Sequence, residues 1–137
     1  MTQKAFDIHP KLVADSHPVG ETDLCSVLLS SDSRYAWVIL VPRRDGMREL
    51  HDLTPDDQMK LTAEVAHIAA AMQKVFGAGK TNVAALGNMV PQLHIHIVMR
   101  NEGDPAWPGP IWGAGEPQAY DPDALRARLD AVRSCLP

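Results

Sequence analysis

Several things are scarce in this chain, and each scarcity excludes something. The longest strongly apolar run, Ala36–Val41, falls far short of the roughly 20 residues that a membrane-spanning helix needs. Residues 1–20 hold no apolar segment of the secretory-signal kind. Cysteine occurs twice, at Cys25 and Cys135, outside any Cys-x-x-Cys or zinc-type spacing. A disulfide scaffold is therefore excluded, and the pair reads as two buried thiols in a reducing, cytoplasmic compartment. Positive charge is not in excess: 13 Lys and Arg face 17 Asp and Glu, a net charge of -4. Nothing in that balance attracts bulk nucleic acid or an anionic membrane, so any anion site must be local. Repeats, low-complexity tracts and dividing linkers are also missing. The expectation is one domain over residues 1–137, large enough for its own core.

What is present reads as alternating elements. His9–Ser16 suits a short helix packing Leu12 and Val13. Leu24–Leu29 and Tyr35–Val41 are apolar and partly β-branched. The Ser30–Arg34 separator is turn-rich, which predicts an antiparallel hairpin. Pro42 ends its second strand because proline cannot donate to a ladder. Thr54-Pro55-Asp56-Asp57 is a helix start, with Thr54 as N-cap and Pro55 at the first helical position. Leu61, Val65, Ile68, Ala69, Met72 and Phe76 follow at helical spacing, and Gly77 and Gly79 stop the helix. Thr81–Leu86 and Gln92–Met99 read as two further strands, with a Gly87-Asn88 turn between them. Asp121-Pro122 opens a short amphipathic C-terminal helix through Leu125, Leu129 and Val132. Asn101–Tyr120 is rich in Gly and Pro and holds Trp107 and Trp112. A coil that long with two tryptophans is expected to be pinned to a surface or a site.

Chemistry concentrates in Val90-Pro91-Gln92-Leu93-His94-Ile95-His96-Ile97-Val98-Met99-Arg100. Alternation along a strand sends Leu93, Ile95, Ile97 and Met99 to one face, and Gln92, His94, His96 and Val98 to the other. Consecutive polar residues then stand about 7 Å apart. Three readings fit this face. It is an exposed sheet surface, although such surfaces favour Thr, Lys or Glu. It is a metal site, although no Asp or Glu on a strand face supplies a third ligand, and the central helix does not belong in a jelly roll. Or it carries a histidine nucleophile, whose other ring nitrogen must hold its proton against a partner such as a backbone carbonyl.

Gln92-Leu93-His94-Ile95-His96-Ile97-Val98 resembles the motif of the histidine triad family, His-φ-His-φ-His-φ-φ with φ apolar. Leu40-Val41-Pro42-Arg43-Arg44 is similar to that family's second hairpin strand and its Pro-basic-basic turn. The helix from Thr54, the Asn82–Asn88 segment and Trp107-Pro108 follow in family order. The resemblance covers roughly Leu24 to Trp112. The chain is similar to bacterial members described as diadenosine tetraphosphate hydrolase-like, which also carry Gln at the first motif position and a Leu-Gly-Asn turn before it. The resemblance implies an α+β fold: a mostly antiparallel sheet of about five strands, four of them readable here. One long central helix and short terminal helices accompany it, with helices on one side, usually in a homodimer. It also implies that His94 attacks the α-phosphate of a small nucleotide and forms a nucleotidyl-histidine, which water or an acceptor resolves. The substrate would be a dinucleoside polyphosphate or a nucleoside phosphoramidate, with His96 contacting phosphate and no cofactor or metal required. The alternative is a nucleotide-binding regulatory protein with little turnover.

Two positions depart from the family pattern. The first histidine is Gln92, and the histidine after the Pro-basic-basic turn falls near Asp45 or has moved to His51. The source of the leaving group's proton is thereby left open. Supporting candidates are Asn88, as an amide donor to phosphate or a plain turn residue, and Asp32, for ribose hydroxyls or as a turn aspartate. Arg100 is a candidate phosphate partner, and Trp107 a cover for the site or a core plug. Arg43 and Arg44 suit a solvated turn or dimer rim, and His9, His17 and His67 a structural or surface role.

Overall fold

The computed structural model describes residues 5–137. Its elements run α1 (Pro10–Ala14), β1 (Ser16–Glu21), β2 (Cys25–Ser30), β3 (Trp37–Pro42), a 3-10 turn (Leu50–Asp52), α2 (Pro55–Phe76), β4 (Lys80–Ala85), β5 (Ile95–Arg100) and α3 (Pro122–Arg133). The strands form one sheet in the order β1-β2-β3-β5-β4, and every neighbouring pair is antiparallel. The α+β architecture expected from the sequence is the one observed.

The long helix begins and ends where its sequence signals stand. The Thr54 hydroxyl accepts from the Asp57 N–H at 3.2 Å, and Gly77 closes α2 in the left-handed conformation at φ 62°. A side chain at Gly77 would be strained there. The strand missing from the sequence reading is β1. It contains Pro18 and Gly20, both poor strand residues, and its register slips between them. It survives because it is an edge strand, where a missing N–H costs no ladder bond.

Both sheet faces are covered. Val27, Leu29, Val38, Leu40, Ile95 and Ile97 form one face, packed with Ile68 and Met72 of α2 and Val132 of α3. The opposite face carries Leu28, Ile39 and Val41, on which Leu12 of α1 sits. Farther along it, Tyr35 and Val98 meet Ile111 of the long coil. The expectation of helices on one side is thus corrected: α1 lies opposite α2 and α3. Val13 does not pack as expected and stays 56% exposed, while Leu12 is buried. The coil 101–120 is tied down by Ser33 N–H to the Gln118 carbonyl, by Arg34 to the Ala114 carbonyl and by Arg100 to Asp104. Cys25 and Cys135 are both free and buried. Among the described residues no helix is long and apolar enough to cross a membrane.

Candidate active site

The histidine segment starts later as a strand than its alternation suggests. β5 begins at Ile95, which pairs with Leu40 on one side and Ala85 on the other. Beyond that point β4 has ended and β3 runs into Pro42, so the ladder lacks partners. Gln92, Leu93 and His94 approach as irregular chain, with the Leu93 N–H donating to the Met47 carbonyl at 2.9 Å. His94 and His96 still share a face. Their ring centroids are 4.9 Å apart and their planes meet at 72°. Both side chains are buried.

The partners of the two rings set their protonation. His94 Nδ1 lies 2.7 Å from the Gln92 backbone carbonyl. A carbonyl only accepts, so Nδ1 carries a hydrogen, and in the neutral ring Nε2 presents a lone pair. His96 Nδ1 accepts from the Trp37 indole N–H at 2.9 Å. An indole only donates, so His96 carries its hydrogen on Nε2. Burial, and then the neighbouring His94, pull the His96 pKa down to about 4. With both rings neutral, the pair offers one bare nitrogen and one N–H donor.

The two rings open on a cavity of about 340 Å³, walled by Leu12, Ile39, Val90 and Trp112 and also lined by Lys11, Asp15, Ser30 and Asn88. Trp112 packs edge-on to His96 at 5.4 Å between centroids. Among the described residues no three His, Cys, Asp or Glu side chains converge as a metal-ligand set.

The sequence candidates separate here. His94, His96 and Asn88 line the cavity; Gln92, Asp32, Arg100 and Trp107 do not. Gln92 turns its amide to the N-terminal segment: Oε1 accepts from the His9 N–H and Nε2 donates to the Asp7 carbonyl, each at 2.8 Å. Arg100 is only 1% exposed. Its guanidinium is bidentate to Asp104 at 2.7 and 3.0 Å and donates to Asn82 at 2.9 Å. The rings of Tyr35 and Trp107 lie 5.8 and 5.6 Å from it. The expectation of a phosphate contact at Arg100 is corrected, since its charge is neutralised inside the fold. The Arg100 guanidinium in turn holds the Asp104 carboxyl below the usual carboxylate range.

Trp107 covers Arg100 rather than the histidines. Asp32 grips the Arg34 guanidinium and accepts from the Gln118 N–H, which binds the hairpin turn to the coil. Although burial opposes it, the bonds from Arg34 hold the Asp32 carboxyl low. Arg43 donates to the Thr22 and Asp23 carbonyls, and Arg44 pairs with Asp57. Asp45 and His51 are exposed, away from the cavity. His9 caps α1 by accepting from the Lys11 N–H, and His67 is exposed on α2.

Trp37, Trp112, Lys11 and Leu12 were missed as site residues. Trp37 had a signal: it stands two residues before Ile39, the β3 partner of His96, so period two puts it on the histidine face. Trp112 had none, because its place depends on how the coil folds back.

Comparison with known proteins agrees with this fold. Residues 11–103 match the HIT domain family model. A histidine triad protein from Marinobacter aquaeolei VT8 superposes with a TM-score of 0.94 at 45% identity, over 97% of each chain. A histidine triad (HIT) protein from Sinorhizobium meliloti 1021 gives 0.93 at 42%, over 96% of this chain and 97% of that one. The bis(5'-nucleosyl)-tetraphosphatase [asymmetrical] of Schizosaccharomyces pombe is 32% identical over 72 residues, which span 49% of this chain and 39% of that protein. By the extent of these matches, the chain belongs to the HIT family.

Proposed function

We propose that this protein is a nucleotide hydrolase or nucleotidyl transferase acting at the α-phosphate of a small nucleotide. The observation that carries the reading is the opposed hydrogen bonding of the two buried imidazoles, one Nδ1 against a carbonyl and the other against an indole N–H. His94 Nε2 attacks phosphorus. An N–P bond forms, the bond from phosphorus to the leaving group breaks, and a nucleotidyl-histidine results. The His96 Nε2–H donates to a non-bridging phosphate oxygen, where negative charge gathers. Water then attacks the same phosphorus, the N–P bond breaks and the nucleoside monophosphate departs. An acceptor hydroxyl in place of water makes the reaction a transfer.

The leaving group follows from what the imidazoles can give up. The Gln92 amide does not titrate and is bonded to the N-terminal segment. His96 is already neutral, and parting with its remaining proton is not accessible near pH 7. A leaving group that departs as a phosphate anion needs no proton from either side chain, whereas a departing amine does. Phosphoanhydrides such as dinucleoside polyphosphates are therefore favoured over phosphoramidates. The test is turnover of a dinucleoside polyphosphate in ¹⁸O-water, with an alkaline quench and intact-mass measurement. The expected result is ¹⁸O in the nucleoside monophosphate and a nucleotidyl adduct on the protein. Label found only in the departing polyphosphate would overturn attack at the α-phosphorus.

The reading includes a homodimer. β4 is an edge strand, and Val83, Leu86 and Met89 are 51, 38 and 79% exposed along it and the turn that follows. Unpaired edges with apolar side chains favour pairing with another chain. Sedimentation at micromolar concentration is expected to give about twice 15.0 kDa. A monomer across that range removes the dimer.

A further inference from the structure

The two edges of the His96 ring have different work, and the shape of the enclosure does not tell them apart. Trp37, Trp112 and His94 surround the ring, with centroids 5.7, 5.4 and 4.9 Å from its own. These contacts fix the plane of the imidazole. A half-turn about the Cβ–Cγ bond keeps that plane but exchanges Nδ1 with Cδ2 and Nε2 with Cε1. The exchanged atoms are of nearly equal size, so van der Waals contact separates the two orientations poorly. A hydrogen bond separates them well, because only a bare nitrogen accepts one.

That bond comes from Trp37. Among the described residues its indole N–H, 2.9 Å from Nδ1, is the one hydrogen-bond partner of the His96 ring. The sheet register builds the contact. Ile39 stands opposite His96 and Trp37 opposite Val98. The indole therefore reaches His96 along the diagonal of an antiparallel pair, a span that aromatic side chains cover. Trp37 in turn meets Trp112 edge-on, with centroids 6.4 Å apart and planes at 86°. An indole N–H donates and does not titrate, so it holds one ring state wherever His96 is neutral.

We infer that Trp37 is a positioning residue acting through His96: its indole N–H selects the ring orientation and tautomer that turn an N–H, rather than a C–H or a bare nitrogen, to the transferring phosphate. The inference rests on the nucleotide reading of the histidine cavity and deepens it. Without the indole, the flipped ring puts Cε1 in the donor's place, and the other tautomer sets a lone pair against a phosphate oxygen. Either way a hydrogen bond is lost that strengthens as charge gathers on that oxygen. The loss therefore falls on kcat rather than on KM.

Trp37→Phe and Trp37→His test this with diadenosine tetraphosphate at pH 8, where an introduced histidine is neutral. Phenylalanine keeps an aromatic ring and removes the donor. Histidine keeps a five-membered ring with an N–H at the position of the indole nitrogen. Trp37→Phe is expected to lower kcat tenfold or more with KM within threefold of the parent. Trp37→His is expected to restore kcat to within threefold. In a His96→Ala background the indole has no ring to hold, and adding Trp37→Phe is expected to change kcat less than threefold. Nitrogen-15 spectra of the imidazoles, with His96 assigned by its loss in His96→Ala, add a direct readout. The hydrogen is expected on Nε2 in the parent, and a mixture of tautomers in Trp37→Phe. A parent hydrogen on Nδ1 overturns the inference even if every variant fails to fold. Turnover by Trp37→Phe within threefold of the parent overturns it as well. So does a loss that persists in His96→Ala, since Trp37 would then act on substrate or only support the fold. No turnover by the parent overturns the nucleotide reading, and the inference with it.

Discussion

The two faces of β5 are both buried, yet by different means. On one, Ile95, Ile97 and Met99 disappear under regular helices, and only apolar contact is made. On the other, His94 and His96 are as deeply covered, but by mixed pieces: the one-turn helix α1, the Trp37 side chain of β3 and the irregular 111–119 coil. Helices give a dry, uniform cover. Loops give an uneven cover that leaves a groove and supplies single, directed donors and acceptors. The first face stores stability, and the second stores geometry. A variant on one side should be read in the melting curve and a variant on the other in the kinetics.

The sharpest separation is expected at His94. His94→Ala removes the bare Nε2 and no buried apolar area of consequence. Turnover of a dinucleoside polyphosphate should fall by at least about 10³-fold, some 4 kcal/mol of transition-state stabilisation. Nucleotide binding by calorimetry should stay within several-fold of the parent. A variant retaining activity within tenfold would remove covalent catalysis from this side of the strand.

Ile97→Ala is the mirror experiment. Ile97 is fully buried beneath the helices, and truncation leaves a cavity costing about 2–4 kcal/mol. Urea unfolding should register that loss, while kcat of the folded fraction changes less than tenfold. A much larger kcat effect would show that the faces are coupled through the strand.

Protonation gives a third separation, since only the catalytic face holds a buried titrating imidazole. His96 sits at about 4 when folded, against an ordinary 6.5. The unfolded chain therefore binds the proton first. The neutral-His96 contribution is whole above pH 6.5 and is lost as pH falls from 6.5 towards 4, by roughly 3 kcal/mol at the low end. The paired carboxylates Asp32 and Asp104 are held low, so their losses fall at more acidic pH. Trp37→Phe deletes the indole donor that fixes the bare Nδ1 and should shrink the loss between pH 6.5 and 4. Urea midpoints measured at pH 7, 5.5 and 4 in both proteins check this.

The same contrast explains what the sequence disclosed. The helical face was legible because its signals are local and periodic: the Thr54 cap, the Gly77 stop, the spacing of Leu61, Ile68 and Met72, and the alternation through Ile95 and Ile97. The order of elements followed, apart from β1, whose Pro18 and Gly20 disguise an edge strand. His94 and His96 were legible because they belong to that alternation. What covers them was not. Trp107 and Trp112 are separated by one turn of the same Gly- and Pro-rich coil, and nothing local says which one reaches the histidines. Arg100 looked free because its neutralising partner Asp104 lies in that coil as well. Residues whose setting depends on a long coil folding back are unreadable without the fold.

Gln92 is where the two faces meet, and it gives the smallest expected effect. Its backbone carbonyl orients His94, while its side chain holds the chain ahead of α1. Gln92→Ala keeps the first and loses the second. Two neutral hydrogen bonds disappear, worth about 1–2 kcal/mol together. Lys11, Leu12 and Asp15 on α1 wall the histidine cavity, so the looser segment should appear as a higher KM. kcat should change little, because the carbonyl and the nucleophile remain. Gln92→Glu discriminates further: it can still accept from His9, but its second carboxylate oxygen would face the Asp7 carbonyl acceptor to acceptor, so it should raise KM at least as far as Gln92→Ala. Gln92→Ala should not alter the pH dependence of kcat, because the primary amide it removes carries no titrating proton. If Gln92→Ala instead loses kcat as completely as His94→Ala, the amide takes part in the chemical step. The division between a side chain that holds the wall and a carbonyl that holds the nucleophile would then fail.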